Sequence, residues 1–427
     1  MIDTRVLIVG AGQAGCSVAA RLRALGHMGP ITLIGEEPHP PYQRPPLSKA
    51  YLLGEMPRER LFLRPQTFYA DQNIDLKLGA SVDWIDRDEN TVTVEDDTLP
   101  YDHLVLATGA TPRRLPAAIG GDLPGTHVLR GIADIDRIAP EFEPGRRLVV
   151  VGGGYIGLEI AAVAAKRELN VTIIEAAPRI LGRVAALETA AFFRDLHRDH
   201  GVRILEDTQL DRVTGTDRAD GVLLSDGRHI AADFVVFGVG VAPNTRLAEC
   251  AGLAVENGIW TDAYGRTSDP AIWAAGDCAS LPFLGKRVRL ESVGNAIDQG
   301  EAVAANILGA AEEYRPKPWF WSDQYDTKLQ IAGLNAGSDT VVVRNAGAGS
   351  ASIWYYRDAQ LVAVDAINDP RAYMIGRRMI EAGTSPAPAE IAANELKSLL
   401  IQSARHETTV AVGAAGQSAQ ATANNGG

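Results

Sequence analysis

A chain of 427 residues is longer than one ordinary hydrophobic core organises and has room for two or three domains. Its net charge of −12 favours solubility and argues against nucleic acid as a partner. Its longest uncharged apolar stretches, at 148–158 and 234–243, fall short of the roughly 20 residues that a membrane-spanning helix needs, which argues against a transmembrane segment.

The chain runs from Met1-Ile2-Asp3-Thr4-Arg5 straight into an apolar strand, without a basic, cleavable leader, which predicts a cytoplasmic protein. That strand, Val6-Leu7-Ile8-Val9, ends at Gly10-Ala11-Gly12-Gln13-Ala14-Gly15, glycines spaced G-x-G-x-x-G. The first glycine permits a tight turn, the second lets backbone approach a pyrophosphate, and the third lets the following helix pack on the strand. A helix is expected at 17–26 and a second strand at Ile31–Gly35, ending in Glu36. A carboxylate about 20 residues past the last glycine is placed to accept hydrogen bonds from an adenosine ribose. The proline-rich stretch after it cannot be regular throughout and forms a fixed loop carrying Tyr42, Arg44 and Lys49. Residues 101–110 read as a buried strand stopping at Thr108-Gly109-Ala110, where backbone can again come close to a ligand.

The same logic returns at Leu148-Val149-Val150-Val151-Gly152-Gly153-Gly154-Tyr155-Ile156-Gly157, followed by a helix at 158–169 and a strand at 171–175. Glu175 repeats the position of Glu36, and because a carboxylate there repels a 2′-phosphate it favours NADH over NADPH; Arg179 and Arg183 nearby carry the opposite charge. Strands at 234–240 and 267–277 then end in glycine or acid, and strand-like segments at 340–344, 352–356 and 360–366 follow an aromatic cluster, Trp319-Phe320-Trp321, of the kind that usually enters a core. The fold class expected is α/β, with two Rossmann-like dinucleotide-binding domains, the second inserted in the first, plus a C-terminal α+β domain. The expected limits are 1–110 with 240–315, then 111–239, then 316–405, leaving 406–427 as a tail with nothing to bury and so disordered. The three cysteines, Cys16, Cys250 and Cys278, lie far apart in sequence and form no C-x-x-C pair. They are expected as buried, unpaired thiols, with no zinc site, iron-sulfur cluster or local redox disulfide.

Six motifs together, PPLSKAYL (45–52), LVLATGA (104–110), VVGGGYIGLE (150–159), AAGDC (274–278), ESVGNA (291–296) and PWFWSDQY (318–325), resemble those of the flavin-dependent NADH:ferredoxin reductases with a glutathione-reductase-like fold. The resemblance implies FAD on the first fingerprint and NADH on the second. It places Gly10, Gly12, Ala14 and Gly15 at the FAD pyrophosphate, Glu36 at its ribose and the backbone of Val82 at its adenine. Arg44, Lys49, Thr108 and Arg130 line the FAD, Asp277 meets its ribityl or pyrophosphate oxygens, and Val293 lies near the isoalloxazine. On the NADH side it places Gly152, Gly154, Tyr155, Ile156 and Gly157 at the pyrophosphate, Glu175 and Arg183 at the adenosine end, and Gly240 and Glu291 near the nicotinamide. Lys49 and Glu159 are implied together beside the reactive flavin nitrogen, where an ammonium stabilises developing negative charge, and Trp321 at the exit path for electrons.

What the resemblance implies as function is hydride transfer from NADH to FAD and release of single electrons to a two-iron two-sulfur ferredoxin serving a cytochrome P450 or a ring-hydroxylating oxygenase. Because the chain is acidic, docking an acidic ferredoxin calls for a local basic face, for which Arg64, Lys286, Arg287, Arg289, Arg315, Lys317 and Lys328 are candidates. The proline-rich loop, 38–49, has no cysteine, which argues against thiol chemistry at the flavin. An NADH oxidase, a rubredoxin or quinone reductase, and a non-enzymatic NADH-sensing flavoprotein are the alternatives on the same scaffold.

Overall fold

The computed structural model describes residues 4–347 and 349–393. The described residues divide into two compact units, one of residues 4–182 and 193–318, the other of 183–192 with 319–347 and 349–393.

The first unit holds two parallel five-stranded sheets. In one, the strands run Ile272–Ala274, His103–Leu106, Val6–Val9, Ile31–Gly35, Ile74–Leu78. Alternate side chains enter opposite cores: Val6, Ile8 and Leu33 on one face, Leu7, Val9 and Ile34 on the other. Strands buried on both faces must be apolar throughout, which is why Val6–Val9 shows no polar alternation. The helices Gln13–Ala24 and Val293–Ile307 pack on the first face, and Gly300 is needed there because a Cβ would stand 2.8 Å from the carbonyl oxygen of Ala14.

The second sheet runs Arg203–Leu205, Asn170–Ile174, Arg147–Val151, Phe234–Phe237, Thr126–His127. All its strands lie, in sequence, between His103–Leu106 and Ile272–Ala274 of the first sheet, so one Rossmann-like fold is inserted in the other. The two crossings of the chain pair with each other as the antiparallel strands Ala110–Pro112 and Val241–Pro243.

The second unit is an antiparallel sheet ordered Trp319–Gln324, Thr327–Gly333, Gln360–Ile367, Ser350–Arg357, Thr340–Gly347, with the helix Pro370–Ala382 on one face over Trp354, Tyr356 and Val364. Asp369 caps that helix by accepting from the Ala372 N–H, and Gly383, at φ +67°, ends it in the left-handed region. The 183–192 excursion is bonded to Tyr355 and Asp365 of this sheet. Tyr355 Oη donates to Asp365 Oδ2 and accepts from the Ala186 N–H at 3.1 Å, and Thr189 Oγ1 donates to the same Asp365 oxygen at 2.8 Å.

The α/β class and the C-terminal α+β architecture stand as the sequence predicts, with local departures. The strand expected at 101–110 shrinks to His103–Leu106, and that at 267–277 to Ile272–Ala274, because Thr267 and Asp269 close a turn ahead of it. Trp319, Phe320 and Trp321 form an edge strand instead of entering the core, and all three stay half-buried. Cys16 and Cys278 are buried as expected but Cys250 is exposed; all three are free. The tail 406–427 and the end of the C-terminal domain lie outside the described residues. Among the described residues no helix is long and apolar enough to cross a membrane, and no three His, Cys, Asp or Glu side chains gather as metal ligands.

Candidate dinucleotide and redox site

The two fingerprints fold into the same cradle. Gly10 has φ +116° and a Cβ on it would lie 2.1 Å from Ala107 O; Gly152 has φ +107° and its Cβ would lie 2.4 Å from Gly238 O. Only glycine fits either turn. Gly15 and Gly157 repeat one another as well, since a Cβ would fall 2.0 Å from Gly10 O and 2.2 Å from Gly152 O respectively. The middle glycines differ in kind. Around Gly12 nothing lies within 4 Å of the missing Cβ, and around Gly154 the nearest atom is Gly238 O at 4.0 Å. Steric need within the protein explains the outer glycines and not these two, each of which is the N-cap of its helix. Open space before helical N–H groups fits a pyrophosphate in both places.

The structure qualifies several of the expected FAD contacts. The Ala14 methyl packs inward, where a Cβ on Gly276 would come within 2.9 Å of it, so its backbone N–H is what faces the cradle's helix end. Glu36 is exposed at the strand end. Its neighbour Glu37 takes Arg44 at 2.7 Å and Tyr42 Oη at 2.5 Å, and Arg44 donates on to Tyr42 Oη at 2.9 Å and to Arg130 O at 2.6 Å. Arg130 completes the chain with Asp277 at 3.2 Å. Burial, and then the adjacent Arg44 charge, lower the Arg130 guanidinium from its ordinary range, a cost that a bound phosphate would offset. Thr108 is stitched to Asn244, donating to its carbonyl at 2.8 Å and accepting its side-chain amide at 2.8 Å. Val82 starts the small antiparallel sheet two residues after Ala80, whose N–H bonds Gly35 O beside Glu36. Val293 is the first residue of its helix, behind the Ser292 cap.

At the second cradle, Tyr155 and Ile156 begin the helix Tyr155–Lys166, and Ile156 is 44% exposed, an apolar side chain left open in the first turn after the cradle. Glu175 is a brace for the cradle: its two oxygens accept the N–H groups of Gly153 and Ala177, each at 2.7 Å. Substitution of Glu175 by alanine is therefore expected to loosen the loop and weaken NADH binding by about tenfold while FAD stays bound. Glutamine, which can accept but not with both ends, is expected between alanine and the parent in an NADH titration. Arg183 is exposed and falls in the 183–192 excursion of the other unit. Gly240 has φ +93° and its carbonyl accepts the Arg113 N–H. Glu291 is paired with Arg289 at 2.5 Å, and Arg289 also donates to Asp277 O at 3.3 Å.

Lys49 and Glu159 meet: Nζ stands 2.5 Å from Oε2, with Glu159 only 5% exposed. Ser48, absent from the sequence-derived site, donates to the same oxygen at 2.6 Å. Glu37, Tyr42, Asn244 and Arg289 were also absent from it as site residues. Arg289 and Arg287 are among the candidates for a basic docking face in the sequence. Both turn inward, Arg287 lying 4.7 Å over the Trp260 ring and bonding Thr261 O, which removes them from a basic face. Arg64, Lys286, Arg315 and Lys328 are exposed. In the second unit Trp321 stacks on Trp319 at 5.4 Å, and the Arg377 guanidinium lies 6.0 Å over the Trp319 ring.

The family model "Pyridine nucleotide-disulphide oxidoreductase" matches residues 4–300, and "Reductase C-terminal" matches residues 319–400. The chain belongs to the pyridine nucleotide-disulphide oxidoreductase family. Within it, the chain is 45% identical to the rhodocoxin reductase of Rhodococcus erythropolis over 95% of each protein. It is 41% identical to the ferredoxin–NAD(+) reductase component of the anthranilate 1,2-dioxygenase system of Burkholderia cepacia, over 90% of this chain and 96% of that one. The reductase in the crystal structure of the covalent putidaredoxin reductase–putidaredoxin complex superposes with a TM-score of 0.91 at 40% identity, covering 94% of this chain and 99% of that one. In this member of the family the Cys16 thiol contacts Tyr69, and the Cys278 thiol donates to Leu106 O in the core.

Proposed function

We propose that the chain is an NADH-dependent FAD flavoprotein that reduces a two-iron two-sulfur ferredoxin, and through it a cytochrome P450 or a ring-hydroxylating oxygenase. The observation that carries the reading is the doubled cradle, each with an open middle glycine, joined by an ion pair between its two halves whose carboxylate is buried. FAD goes to the 1–110 and 240–315 portion and NADH to 111–239. FAD, when bound, accepts a hydride and can give up its electrons one at a time.

The protein's part is to bind, orient and exclude water. Gly12 and Gly154 admit the two pyrophosphates to helix N-termini, Arg44 and Arg130 supply positive charge at the first, and Glu175 holds the second loop in shape. Glu175 also sets a negative group where NADPH would carry its 2′-phosphate. Ile156 offers apolar surface to a flat ring. Lys49, fixed by Glu159, presents an ammonium where negative charge develops, and Trp321 serves as the aromatic contact for the acceptor protein. The reductant places the reaction in the cytoplasm.

Stopped-flow reduction by NADH and by NADPH, followed by turnover with a panel of two-iron two-sulfur ferredoxins including putidaredoxin, tests the reading. Faster reduction by NADH, and electron delivery to a ferredoxin faster than to oxygen, are expected. Oxygen as the fastest acceptor throughout would replace the reading with an oxidase.

A further inference from the structure

The carboxylate of Glu159 takes two donors on one oxygen, Lys49 Nζ at 2.5 Å and Ser48 Oγ at 2.6 Å. Ser48 and Glu159 are 4% and 5% exposed and lie 111 residues apart, so the contact ties the proline-rich loop of the first cradle to the helix of the second. Ser48 ends the short turn Pro45–Ser48, and the Lys49 ammonium also lies 3.3 Å from Pro45 O. Loop and helix are already fastened farther along. Lys166 reaches Glu55 at 3.0 Å and Arg167 reaches Leu53 O, both in exposed positions. A clamp alone does not call for a buried carboxylate, because desolvating an ion pair offsets most of its attraction. A buried carboxylate does, however, dictate where an ammonium stands, and a second donor on the same oxygen dictates where the carboxylate stands.

We propose that Ser48 is a positioning residue for hydride transfer: its hydroxyl fixes Glu159, and thereby holds the Lys49 ammonium in the place where negative charge develops on reduction. This rests on the reading of Lys49 given above. Ser48 itself touches neither dinucleotide in the proposal, so NADH binding is left alone and only the step that creates charge is affected.

The test compares Ser48→Ala, Ser48→Thr and Lys49→Met in the FAD-loaded protein, by the limiting rate of reduction at saturating NADH, the dissociation constant for NADH, and the flavin midpoint potential from dye-coupled titration. Loss of a hydrogen bond to a charged group predicts a limiting rate about tenfold lower in Ser48→Ala at an unchanged dissociation constant. The potential is expected to fall by roughly 30 mV, the equivalent of a tenfold change for a two-electron couple. Ser48→Thr, which keeps the hydroxyl, is expected near the parent, and Lys49→Met beyond Ser48→Ala in the same direction. Parent-like rate and potential in Ser48→Ala, with both lowered in Lys49→Met, would overturn the role of Ser48 and leave that of Lys49. Parent-like values in Lys49→Met would overturn both. A weaker NADH affinity in Ser48→Ala at unchanged potential would make the residue a plain brace and overturn the proposal.

Discussion

Gly154→Ala is expected to weaken NADH binding roughly thirtyfold and to leave FAD bound, while Gly12→Ala is expected to do the reverse. The argument is steric and separates binding from folding. Both glycines have ordinary backbone angles, φ −93° at Gly12 and −80° at Gly154, and a methyl group on either would meet no protein atom closer than 4.0 Å. The apoprotein therefore accepts the substitution. A phosphate approaching the helix N-terminus does not, and forcing a methylene-sized group into a fitted contact costs about 2 kcal/mol, which is the thirtyfold. The outer glycines behave differently. Alanine at Gly10 or Gly152 would need a positive φ and would press its Cβ to 2.1 or 2.4 Å from a carbonyl oxygen, so those variants lose the loop itself. Flavin content after gel filtration and NADH titration of the same preparations check the outcome. Loss of flavin in Gly154→Ala, with flavin retained in Gly12→Ala, would mean that the two cradles hold the opposite cofactors.

What could be read from the sequence and what could not follow from the range of the forces involved. The cradles were legible because much of their requirement is local: Gly10 turns at a positive φ and Gly15 would clash with Gly10 O in the same loop, so spacing reports the geometry, although the atom that a Cβ on Gly10 would strike, Ala107 O, belongs to a distant segment. The pair of sheets was legible because apolar runs of strand length mark burial on both faces. Ser48 was not, although it precedes Lys49 directly, because its partner lies 111 residues away and no period connects them. Glu36 and Glu37 are adjacent acids at the end of one strand, and only the turn beyond it decides that Glu37 faces Arg44 while Glu36 faces solvent. Arg289 read as surface charge because a one-dimensional sequence does not show that Gly258 opens room for it, a Cβ there coming within 3.1 Å of its Cδ. The helix Pro370–Ala382 was hidden by Gly376, a poor helix former in isolation. Its glycine is a packing requirement, since a Cβ would stand 2.5 Å from Val364 on the sheet below.

The second large effect concerns Asp365, and it is a dependence on pH. Asp365 is fully buried, accepts Tyr355 and Thr189 on Oδ2, and has Oδ1 buried with no partner among the described residues. Burial raises its carboxyl to about 6 from an ordinary 3.8, against the pull of the Tyr355 and Thr189 hydrogen bonds. Between those two values the native protein keeps a proton that the unfolded chain has released, so stability falls as pH rises through the window and levels off above the native value. Two units correspond to roughly 3 kcal/mol. Surface carboxylates held low, such as Asp102 beside Arg5, titrate with the opposite sign, which obscures the effect in the parent protein alone. They are common to the parent and to Asp365→Asn and cancel in the difference. Asparagine brings its own penalty, about 1–3 kcal/mol for an amide N–H buried where Oδ1 now lies, but that cost does not vary with pH. The stability of the parent relative to Asp365→Asn is therefore expected to decline by roughly 2 kcal/mol from pH 4 to pH 7 in urea unfolding followed by tryptophan emission. The sign is decisive: parallel curves would mean that Asp365 titrates alike in the folded and unfolded chain, and a parent that gains on the variant with rising pH would mean that its two hydrogen bonds outweigh its burial.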